Sequence, residues 1–444
     1  MQFYSTNNPD LRVDLKEAVI RSLPADNGLY MPVSISPLPD SFWENWRTMS
    51  FAELGFHVAR NFFHDAIPEQ DLKEIVDDSI NFDAPLVPLT ENSNILELFH
   101  GPTLAFKDFG ARFMARLMAY LTKDETEGLR ASDSECKPLT VLVATSGDTG
   151  GAVASAFHHV KGTKVIILYP KGGVSDLQEK QLTTLSGNIS ALEVEGSFDD
   201  CQRMVKACFL DADLAKKHNL TSANSINISR LLPQSFYYFH AARQLLDIHE
   251  GAEPTFVIPS GNFGNLTAGL IAQQMGLKIA HFVAATNIND VVPRYLAEGS
   301  YDPVASIATV SNAMDVGAPS NFARMQNIFG DDWDAMRENI SGLAFDDEET
   351  RAAIKEVKNK FDYTIDPHGA VGYLASKIWQ EAAPGSHTII LETAHPSKFI
   401  DTMEEELGKG NIHIPERLAC LAELEKSAKL VKPDPKEVIG FLGN

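Results

Sequence analysis

The sequence predicts an α/β protein with open sheets and a ligand crevice between them. From about residue 85, short apolar runs alternate with tracts of helical periodicity. Most of these runs are rich in β-branched residues and few alternate between apolar and polar positions, which is typical of strands buried on both faces of a parallel sheet. The candidate strands are Asn94–Leu98, Thr140–Ala144, Lys164–Tyr169, Thr255–Ile258, His281–Ala285 and Thr388–Leu391.

Helical tracts lie between these runs, as the crossover connections of parallel strands require. They are Gly150–Val160, Asp199–Leu210, Ser235–Ile248 and Gly264–Met275. Open α/β sheets bind ligands beyond the carboxyl ends of their strands. The loops that follow the strands are therefore the expected binding loops.

Residues 1–80 differ in pattern from the rest of the chain. Two amphipathic tracts, around Phe51–Phe63 and Leu72–Ile80, follow a proline-rich segment, and no glycine-rich phosphate loop occurs there. We expect a small, mainly helical N-terminal unit, followed by a catalytic region over residues 81–444. Within that region, a smaller α/β subdomain is expected at roughly 125–235, with the flanking segments forming a larger one. The charged tail at the end of the chain is expected to pack over the surface.

Composition and charge argue against several functional classes. The 444 residues carry a formal net charge of −22, which would repel nucleic acid and an anionic membrane surface. The N-terminus lacks an apolar signal core and no later run reaches the length of a membrane span, so a cytoplasmic location is expected. No His, Cys and Asp cluster has metal-ligand spacing, so no metal is expected. Free thiols in a reducing compartment are expected at Cys136, Cys201, Cys208 and Cys420.

Lys107 is the first candidate catalytic residue. It lies in the segment His100–Gly110, between two aromatic residues and after a Gly-Pro turn. The tract Gly110–Leu121 has helical spacing, which places Lys107 at or near a helix N-terminus. The helix dipole and apolar neighbours would both lower the pKa of this amine. Such a lysine is a nucleophile that forms a Schiff base with an aldehyde, whereas the alternative is an ordinary solvated lysine.

Two glycine-rich loops each follow a predicted strand and precede a predicted helix. The loop Thr145–Gly151 combines the hydroxyls of Ser146 and Thr149 with a helix N-terminus, which suits a carboxylate or phosphate, although a simple tight turn is the alternative. The loop Pro259–Asn265 suits a cup of backbone amides around a phosphate dianion. It matches neither a Walker loop nor a dinucleotide fingerprint. Together the loops indicate two separate anions.

Two further polar segments lie at the ends of predicted elements. Asn224–Arg230 precedes an aromatic tract, and Arg230 is a candidate clamp for phosphate or carboxylate, although a polar turn with a helix cap would also explain the segment. Thr393–Phe399 follows the last candidate strand, so Thr393 is expected to face the crevice and to offer its hydroxyl to a ring nitrogen. No serine nucleophile elbow occurs.

Six motifs together resemble those of the threonine synthase family. Its members are pyridoxal-phosphate enzymes of the tryptophan-synthase-β fold type. The motifs are HGPTLAFKDFG, ATSGDTGGA, NSINISR, PSGNFGN, SNAMDVG and TAHPSKF. The resemblance covers essentially the whole chain and is to the longer bacterial and fungal branch, whose members carry the N-terminal unit. It implies a fold-type II enzyme, with two open twisted α/β domains and the cofactor in the crevice between them.

The resemblance also implies how the cofactor is held. Lys107 would be the catalytic residue and would carry pyridoxal 5′-phosphate as a Schiff base. Thr393 would face the pyridine nitrogen. The cofactor phosphate would be bound by Gly261, Asn262, Phe263, Gly264 and Asn265.

The resemblance places the substrate beside the cofactor. Ser146, Asp148 and Thr149 would lie near the substrate carboxylate or the cofactor ring. Related enzymes have an asparagine in this loop where this chain has Asp148, so an asparagine contact to the cofactor's O3′ does not carry over. The candidates for binding the substrate phosphate are Asn227, Arg230 and Arg112.

The implied activity is that of a lyase in threonine biosynthesis, converting O-phospho-L-homoserine and water to L-threonine and phosphate. A serine or threonine dehydratase would share Lys107 and the phosphate loop, without a cationic pocket for a substrate phosphate. A catalytically silent relative would bind pyridoxal phosphate or a phospho-ligand as a sensor or scaffold. The expected partner is a small-molecule substrate, and the expected state is a monomer or homodimer.

Overall fold

The computed structural model describes residues 1–123 and 138–443. Its strands are β1 (Phe3–Ser5), β2 (Asn8–Val13), β3 (Tyr30–Pro32), β4 (Leu86–Pro88), β5 (Ser93–Glu97), β6 (Leu139–Ala144), β7 (Thr163–Pro170), β8 (Ile189–Val194), β9 (Leu220–Ser222), β10 (Pro254–Pro259), β11 (His281–Thr286), β12 (Ile340–Ala344), β13 (His387–Glu392) and β14 (Lys429–Val431). They form three sheets, with the orders β2-β1-β3, β12-β11-β10-β13-β5-β4 and β14-β8-β7-β6-β9.

Helices cover these sheets and connect most of the parallel strands. They are α1 (Leu15–Arg21), α2 (Asp40–Asn45), α3 (Phe51–Phe63), α4 (Glu69–Ser79), α5 (Lys107–Leu121), α6 (Asp148–Phe157), α7 (Asp176–Thr183), α8 (Phe198–Leu210), α9 (Ala212–Lys217), α10 (Ile228–Leu231), α11 (Phe236–Ile248), α12 (Gly264–Gln274), α13 (Val291–Glu298), α14 (Phe322–Phe329), α15 (Trp333–Asn339), α16 (Asp347–Phe361), α17 (Pro367–Ala382), α18 (Ile400–Leu407), α19 (Glu416–Ala422) and α20 (Pro435–Leu442). Among the described residues, no helix has the length and apolar character needed to cross a membrane.

The six-stranded sheet is parallel except at its β4 edge, which runs antiparallel to β5. The sequence predicted β5, β10, β11 and β13, and each is found within about a residue or two of its expected bounds. Every residue of β10 is buried, as expected of a strand covered by helices on both faces. The strands β4 and β12 were not predicted, because they are short edge strands that are only partly buried.

The five-stranded sheet is parallel throughout. The sequence predicted β6 and β7 but not β8, β9 or β14. The tail was expected to pack over the surface, and that expectation was wrong for β14, which pairs with β8 as an edge strand of this sheet. Val431, Val438 and Leu442 of the tail are buried against that sheet and its helices. These few apolar residues pack the tail into the core, although its overall composition is charged.

The N-terminal unit packs directly on the helix that begins with Lys107. The two predicted amphipathic tracts form α3 and α4, and α3 starts with a capping box between Ser50 and Glu53. Phe63 of α3 contacts Phe113 of α5, with ring centroids 5.5 Å apart. The small sheet β2-β1-β3 was not predicted, because β1 and β3 have only three residues each and β2 is largely exposed. The N-terminal unit thus packs against α5 and stabilises it.

The cysteines form no disulfide among the described residues. Cys201, Cys208 and Cys420 are free thiols, as predicted. Burial raises the pKa of the Cys201 and Cys208 thiols to about 12 and about 11, which makes both unreactive. Cys136 lies outside the described residues.

Candidate active site

A cavity of about 480 Å³ lies where the carboxyl ends of strands from both larger sheets meet. Its walls come from the loops after β6, β10 and β13 and from the start of α5. A larger cleft of about 1140 Å³ lies between the N-terminal unit and α8 and α9. We place the candidate site in the smaller cavity, because Lys107, Arg230 and Thr393 line it and none of them lines the larger cleft.

Lys107 is the first residue of α5, as the sequence predicted. Its side chain is half-buried and lines the cavity. Burial lowers the pKa of Lys107 to about 8; the carboxylate of Asp148 opposes this shift, and the cations Arg230 and Lys398 add to it. A substantial fraction of a lysine with that pKa is a neutral, nucleophilic amine at physiological pH.

The backbone around Lys107 is fixed on the loop after β13. Phe106 donates its N–H to the carbonyl of Thr393 at 2.8 Å, and His395 donates its N–H to the carbonyl of Leu104 at 3.0 Å. Leu104 has a left-handed backbone with φ 61°, a strained conformation for a branched residue. Lys107 and Thr393, which are far apart in the sequence, are thereby held on the same wall of the cavity.

A buried carboxylate supports the turn before Lys107. Asp108 accepts hydrogen bonds from the backbone N–H and the hydroxyl of Thr103, both at 2.8 Å. A Cβ atom at Gly101 would lie 2.5 Å from Oδ2 of Asp108, so this close approach requires glycine. The Gly101-Pro102 turn, which the sequence analysis identified before Lys107, is therefore packed against the start of α5.

The loop after β10 forms the start of α12 and lines the cavity over residues 259–265. Phe263, the residue before the helix, has a left-handed backbone with φ 59°. The N-terminus of α12 therefore lies at the cavity wall, where a helix N-terminus favours an anion. A Cβ atom at Gly261 would lie 2.7 Å from Cα of Met314, so the loop also requires glycine there.

Two asparagines of this loop have different surroundings. Asn262 donates to the hydroxyl of Ser225 at 2.6 Å and accepts the backbone N–H of Ser320 at 2.5 Å. The side-chain oxygen of Asn265 accepts hydrogen bonds from two buried tyrosines. Its amide nitrogen is buried and has no hydrogen-bond partner among the described residues. An unused buried donor beside a helix N-terminus fits a phosphate group.

The loop after β6 presents Ser146 and Thr149 to the cavity but not Asp148. The carboxylate of Asp148 is instead paired with Lys398, at 2.7 Å, and accepts a hydrogen bond from Gln178 at 2.8 Å. Burial by itself would raise the pKa of Asp148, but Lys398 and Lys107 outweigh it and lower this pKa to about 2. Asp148 is thus a buried anion next to the cavity rather than part of its wall.

Arg230 lines the cavity, as one of the candidates for a substrate phosphate should. Its Nη1 donates to the carbonyl of Ala223 at 2.6 Å, while its Nε is buried and has no hydrogen-bond partner among the described residues. Burial lowers the pKa of Arg230 to about 10, with the carboxylate of Asp108 opposing the shift. The guanidinium therefore remains a cation with an unused donor.

The structure does not bring Arg112 to the cavity. Its Nε donates to the carbonyl of Ser79 at 3.0 Å, and its Nη2 donates to Asn81 at 3.1 Å and to the carbonyl of Asp78. Five positions along an α-helix rotate a side chain by about 140°, which turns Arg112 away from Lys107 and toward the end of α4. Arg112 thus caps the end of α4 and does not line the cavity, so it is not placed to bind the substrate.

Asn227 is also absent from the cavity wall. It is the N-cap residue of α10, and its oxygen accepts the backbone N–H and the hydroxyl of Ser229 at 3.0 and 2.7 Å. Its amide nitrogen donates to the carbonyls of Val19 and Ser222. Asn227, a candidate for binding the substrate phosphate, therefore caps α10 and does not line the cavity.

Two residues of the site were missed by reasoning from the sequence. His368 lines the cavity; its Nδ1 donates to Asp366 at 2.6 Å, and its Nε2 accepts the backbone N–H of Ala313 at 3.2 Å. The second is Lys398, which lies within the TAHPSKF motif. The available signals were a histidine two residues after an aspartate and a lysine close to the end of a predicted strand, but neither identifies a partner distant in sequence.

This geometry agrees with the comparison to a family model. The model described as pyridoxal-phosphate dependent enzyme matches residues 83–391. The chain is therefore a pyridoxal-phosphate-dependent enzyme of the α/β class, and the predicted cofactor and fold class are confirmed.

Two further models match the remainder, threonine synthase N terminus over residues 2–80 and threonine synthase, C-terminal, over residues 369–442. The chain is 41% identical to threonine synthase of Escherichia coli strain K12 over 424 residues, which is 96% of this chain and 95% of that relative. The chain belongs to the threonine synthase family.

Solved structures give the same result. The crystal structure of threonine synthase from Escherichia coli has a TM-score of 0.91 and 39% identity, covering 100% of both chains. The structure of pyridoxal-phosphate-bound threonine synthase from Brucella melitensis has a TM-score of 0.88 and 34% identity, covering 100% of this chain and 98% of that chain.

Proposed function

We propose that this enzyme converts O-phospho-L-homoserine and water to L-threonine and phosphate. The observation that carries the proposal is that two separate groups suited to binding an anion line one cavity. One is the glycine loop at the start of α12, and the other is Arg230 with its unused Nε donor. A cofactor phosphate occupies one site, which leaves the second for a phosphate on the substrate.

The residues of the cavity fit the cofactor. Lys107 would supply the amine for a Schiff base, the loop residues Gly261–Asn265 would hold the phosphate, and Thr393 would face the pyridine nitrogen, since all of them line the cavity. Bound pyridoxal phosphate supplies an electron sink for carbanions beside the imine. A neutral hydroxyl at the ring nitrogen, rather than a carboxylate, would leave that nitrogen largely unprotonated, which would moderate the sink and disfavour transamination.

Lys107 would move protons at Cα and Cβ of the bound substrate. Its pKa of about 8 lies close to physiological pH, which suits an amine that both accepts and donates protons. Its position on the cavity wall places the amine to serve Cα and Cβ of the substrate.

The substrate's two anionic groups require different partners. Ser146, Thr149 and the amides at the start of α6 suit the carboxylate. Arg230 suits the phosphate, and a guanidinium there stabilises the charge that develops on the leaving group. Capture must be local, because the net charge of −22 repels an anionic substrate at long range.

The test is steady-state turnover of the purified enzyme with O-phospho-L-homoserine. We expect release of phosphate matched by formation of L-threonine, and loss of both in Lys107→Ala. Deamination of serine or threonine without phosphate release would identify a dehydratase instead. Retention of cofactor with no turnover of any of these substrates would identify a silent relative.

We further propose a cytoplasmic location, a monomer or homodimer, and two units over residues 1–80 and 81–444. The boundary is supported by family models that end at residue 80 and begin at residue 83. A smaller subdomain of roughly 125–235 is supported by the strands β6 to β9, with β14 of the tail added to it. Light scattering on the purified protein measures the oligomeric state.

A further inference from the structure

Lys398 is a fully buried lysine whose side-chain nitrogen contacts two partners beside the cavity. Its Nζ lies 2.7 Å from Oδ1 of Asp148 and donates to the carbonyl of Thr103 at 2.9 Å. The side chains of Lys398 and Asp148 are 0% and 4% exposed. Buried ion pairs are often no more stabilising than apolar residues of similar size. Stability alone therefore does not account for this pair.

The ion pair joins segments from both larger sheets to the segment that carries Lys107. Asp148 follows β6 of the five-stranded sheet, and Lys398 follows β13 of the six-stranded sheet. Thr103, the third partner, precedes Lys107 in the same motif. The hydroxyl of Ser175 at the start of α7 also donates to the carbonyl of Lys398, at 2.8 Å. The pair lies where these segments converge.

Asp148 acts electrostatically on Lys107. Its carboxylate raises the pKa of Lys107, whereas Lys398 and Arg230 lower it. If the charge of Lys398 were removed, Lys107 would be the remaining lysine close enough to neutralise Asp148. An amine that serves as a counter-ion is held as an ammonium ion and is not a nucleophile.

Asp148 also lies between Ser146 and Thr149 at the start of α6. An unpaired carboxylate there would repel a second carboxylate that approaches the same helix N-terminus. When Asp148 is paired with Lys398, the ion pair is neutral overall. The backbone amides at the start of α6 and the hydroxyls of Ser146 and Thr149 then determine which ligand binds.

We propose that Lys398 is a positioning residue that serves as the permanent counter-ion of Asp148. This arrangement leaves Lys107 free as an amine and leaves the N-terminus of α6 open to a substrate carboxylate. The part that concerns Lys107 depends only on the charges of the chain, and the part that concerns the carboxylate rests on the proposed function.

The test compares Lys398→Met with the double variant D148N/K398M, which removes both charges. Lys377→Met is the matched control, because Lys377 also pairs with a carboxylate, Glu356 at 2.9 Å, but lies on the surface. In cofactor-free full-length protein, trace labelling with acetic anhydride and peptide mapping give the apparent pKa of Lys107. In the loaded enzyme, the KM for O-phospho-L-homoserine and kcat are measured separately.

We expect Lys398→Met to raise the apparent pKa of Lys107 by about one unit or more and to raise KM about tenfold or more. The double variant should return both quantities close to those of wild type, and Lys377→Met should change neither. If Lys398→Met does not fold, the double variant decides alone: wild-type labelling of Lys107 supports the proposal, and a shifted curve overturns it.

Two results would overturn the proposal with folded protein. One is an unchanged labelling curve in Lys398→Met, and the other is a double variant as impaired as Lys398→Met, which would mean that the bond to Thr103 matters and the charge does not. Absence of phosphate release by wild type would instead refute the proposed function, and the labelling result would stand independently.

Discussion

The loops after β6 and β10 start from the same pattern, a buried strand, a glycine-rich turn and a helix, yet their charged and polar surroundings differ. The β10 loop contains no acidic residue and ends in a left-handed Phe263 and an unused amide donor at Asn265. The β6 loop contains Asp148 as the first residue of its helix, paired with Lys398. On the proposed function, the cofactor phosphate would bind the β10 loop, which has amide donors and no opposing carboxylate, whereas the substrate carboxylate would bind the β6 loop, where Lys398 balances the charge of Asp148.

The largest effect is expected at the residue that both loops face. Lys107→Ala should lower turnover by at least ~10³-fold, because the amine that attaches the cofactor and moves the protons is lost. The variant should retain some cofactor through the β10 loop. Borohydride reduction and peptide mapping of wild type should mark Lys107, and a label on any other lysine would refute the assignment.

The next effect concerns the second anion site. Arg230→Lys should lower kcat/KM for O-phospho-L-homoserine by ~10²-fold, about 2.7 kcal/mol, because the planar fork of the guanidinium is lost. The visible spectrum of the bound cofactor should hardly change. Arg112→Lys is the matched control and should leave kcat/KM unaltered, since Arg112 caps α4. A wild-type kcat/KM in Arg230→Lys would leave the substrate phosphate without its proposed partner.

Gly264→Val tests the β10 loop by itself. A Cβ atom at Gly264 would lie 3.4 Å from the nearest atom, the amide nitrogen of Asn321, so the fold should tolerate it. A side chain at the first residue of α12 would occupy the space that the phosphate needs, and cofactor affinity should fall about 30-fold. Equilibrium dialysis measures this affinity. Unchanged cofactor affinity with a raised KM would mean that the two anion sites are exchanged.

The smallest effect is a pH dependence of stability in cofactor-free protein. Burial lowers the pKa of Lys107 to about 8, below the value of about 10.4 in an unfolded chain. Between these values the unfolded chain binds more protons, so stability from this group increases as pH rises. Between pH 8 and 9 the gain should be about 1 kcal/mol. Urea unfolding of wild type compared with Lys107→Met isolates it, and an equal pH dependence in both proteins would contradict the lowered pKa.

Local sequence determined the central elements of the fold. The buried strands β6, β7, β10 and β13 were predictable because continuous apolar runs rich in β-branched residues are typical of strands that are buried on both faces. The edge strands β4, β9, β12 and β14 were not, because three to five residues carry too little periodicity and gain their partner only in the sheet.

The sequence by itself determined that Lys107 starts a helix, that glycine loops follow two strands, and that Thr393 follows a third. These are properties of adjacent residues, and parallel strands bring their carboxyl ends together. Only the tertiary structure decided which charges meet. Arg112 turns to α4, Asn227 caps α10, and Asp148 pairs with Lys398, because ion pairs and caps depend on distances in space that spacing along the chain does not record.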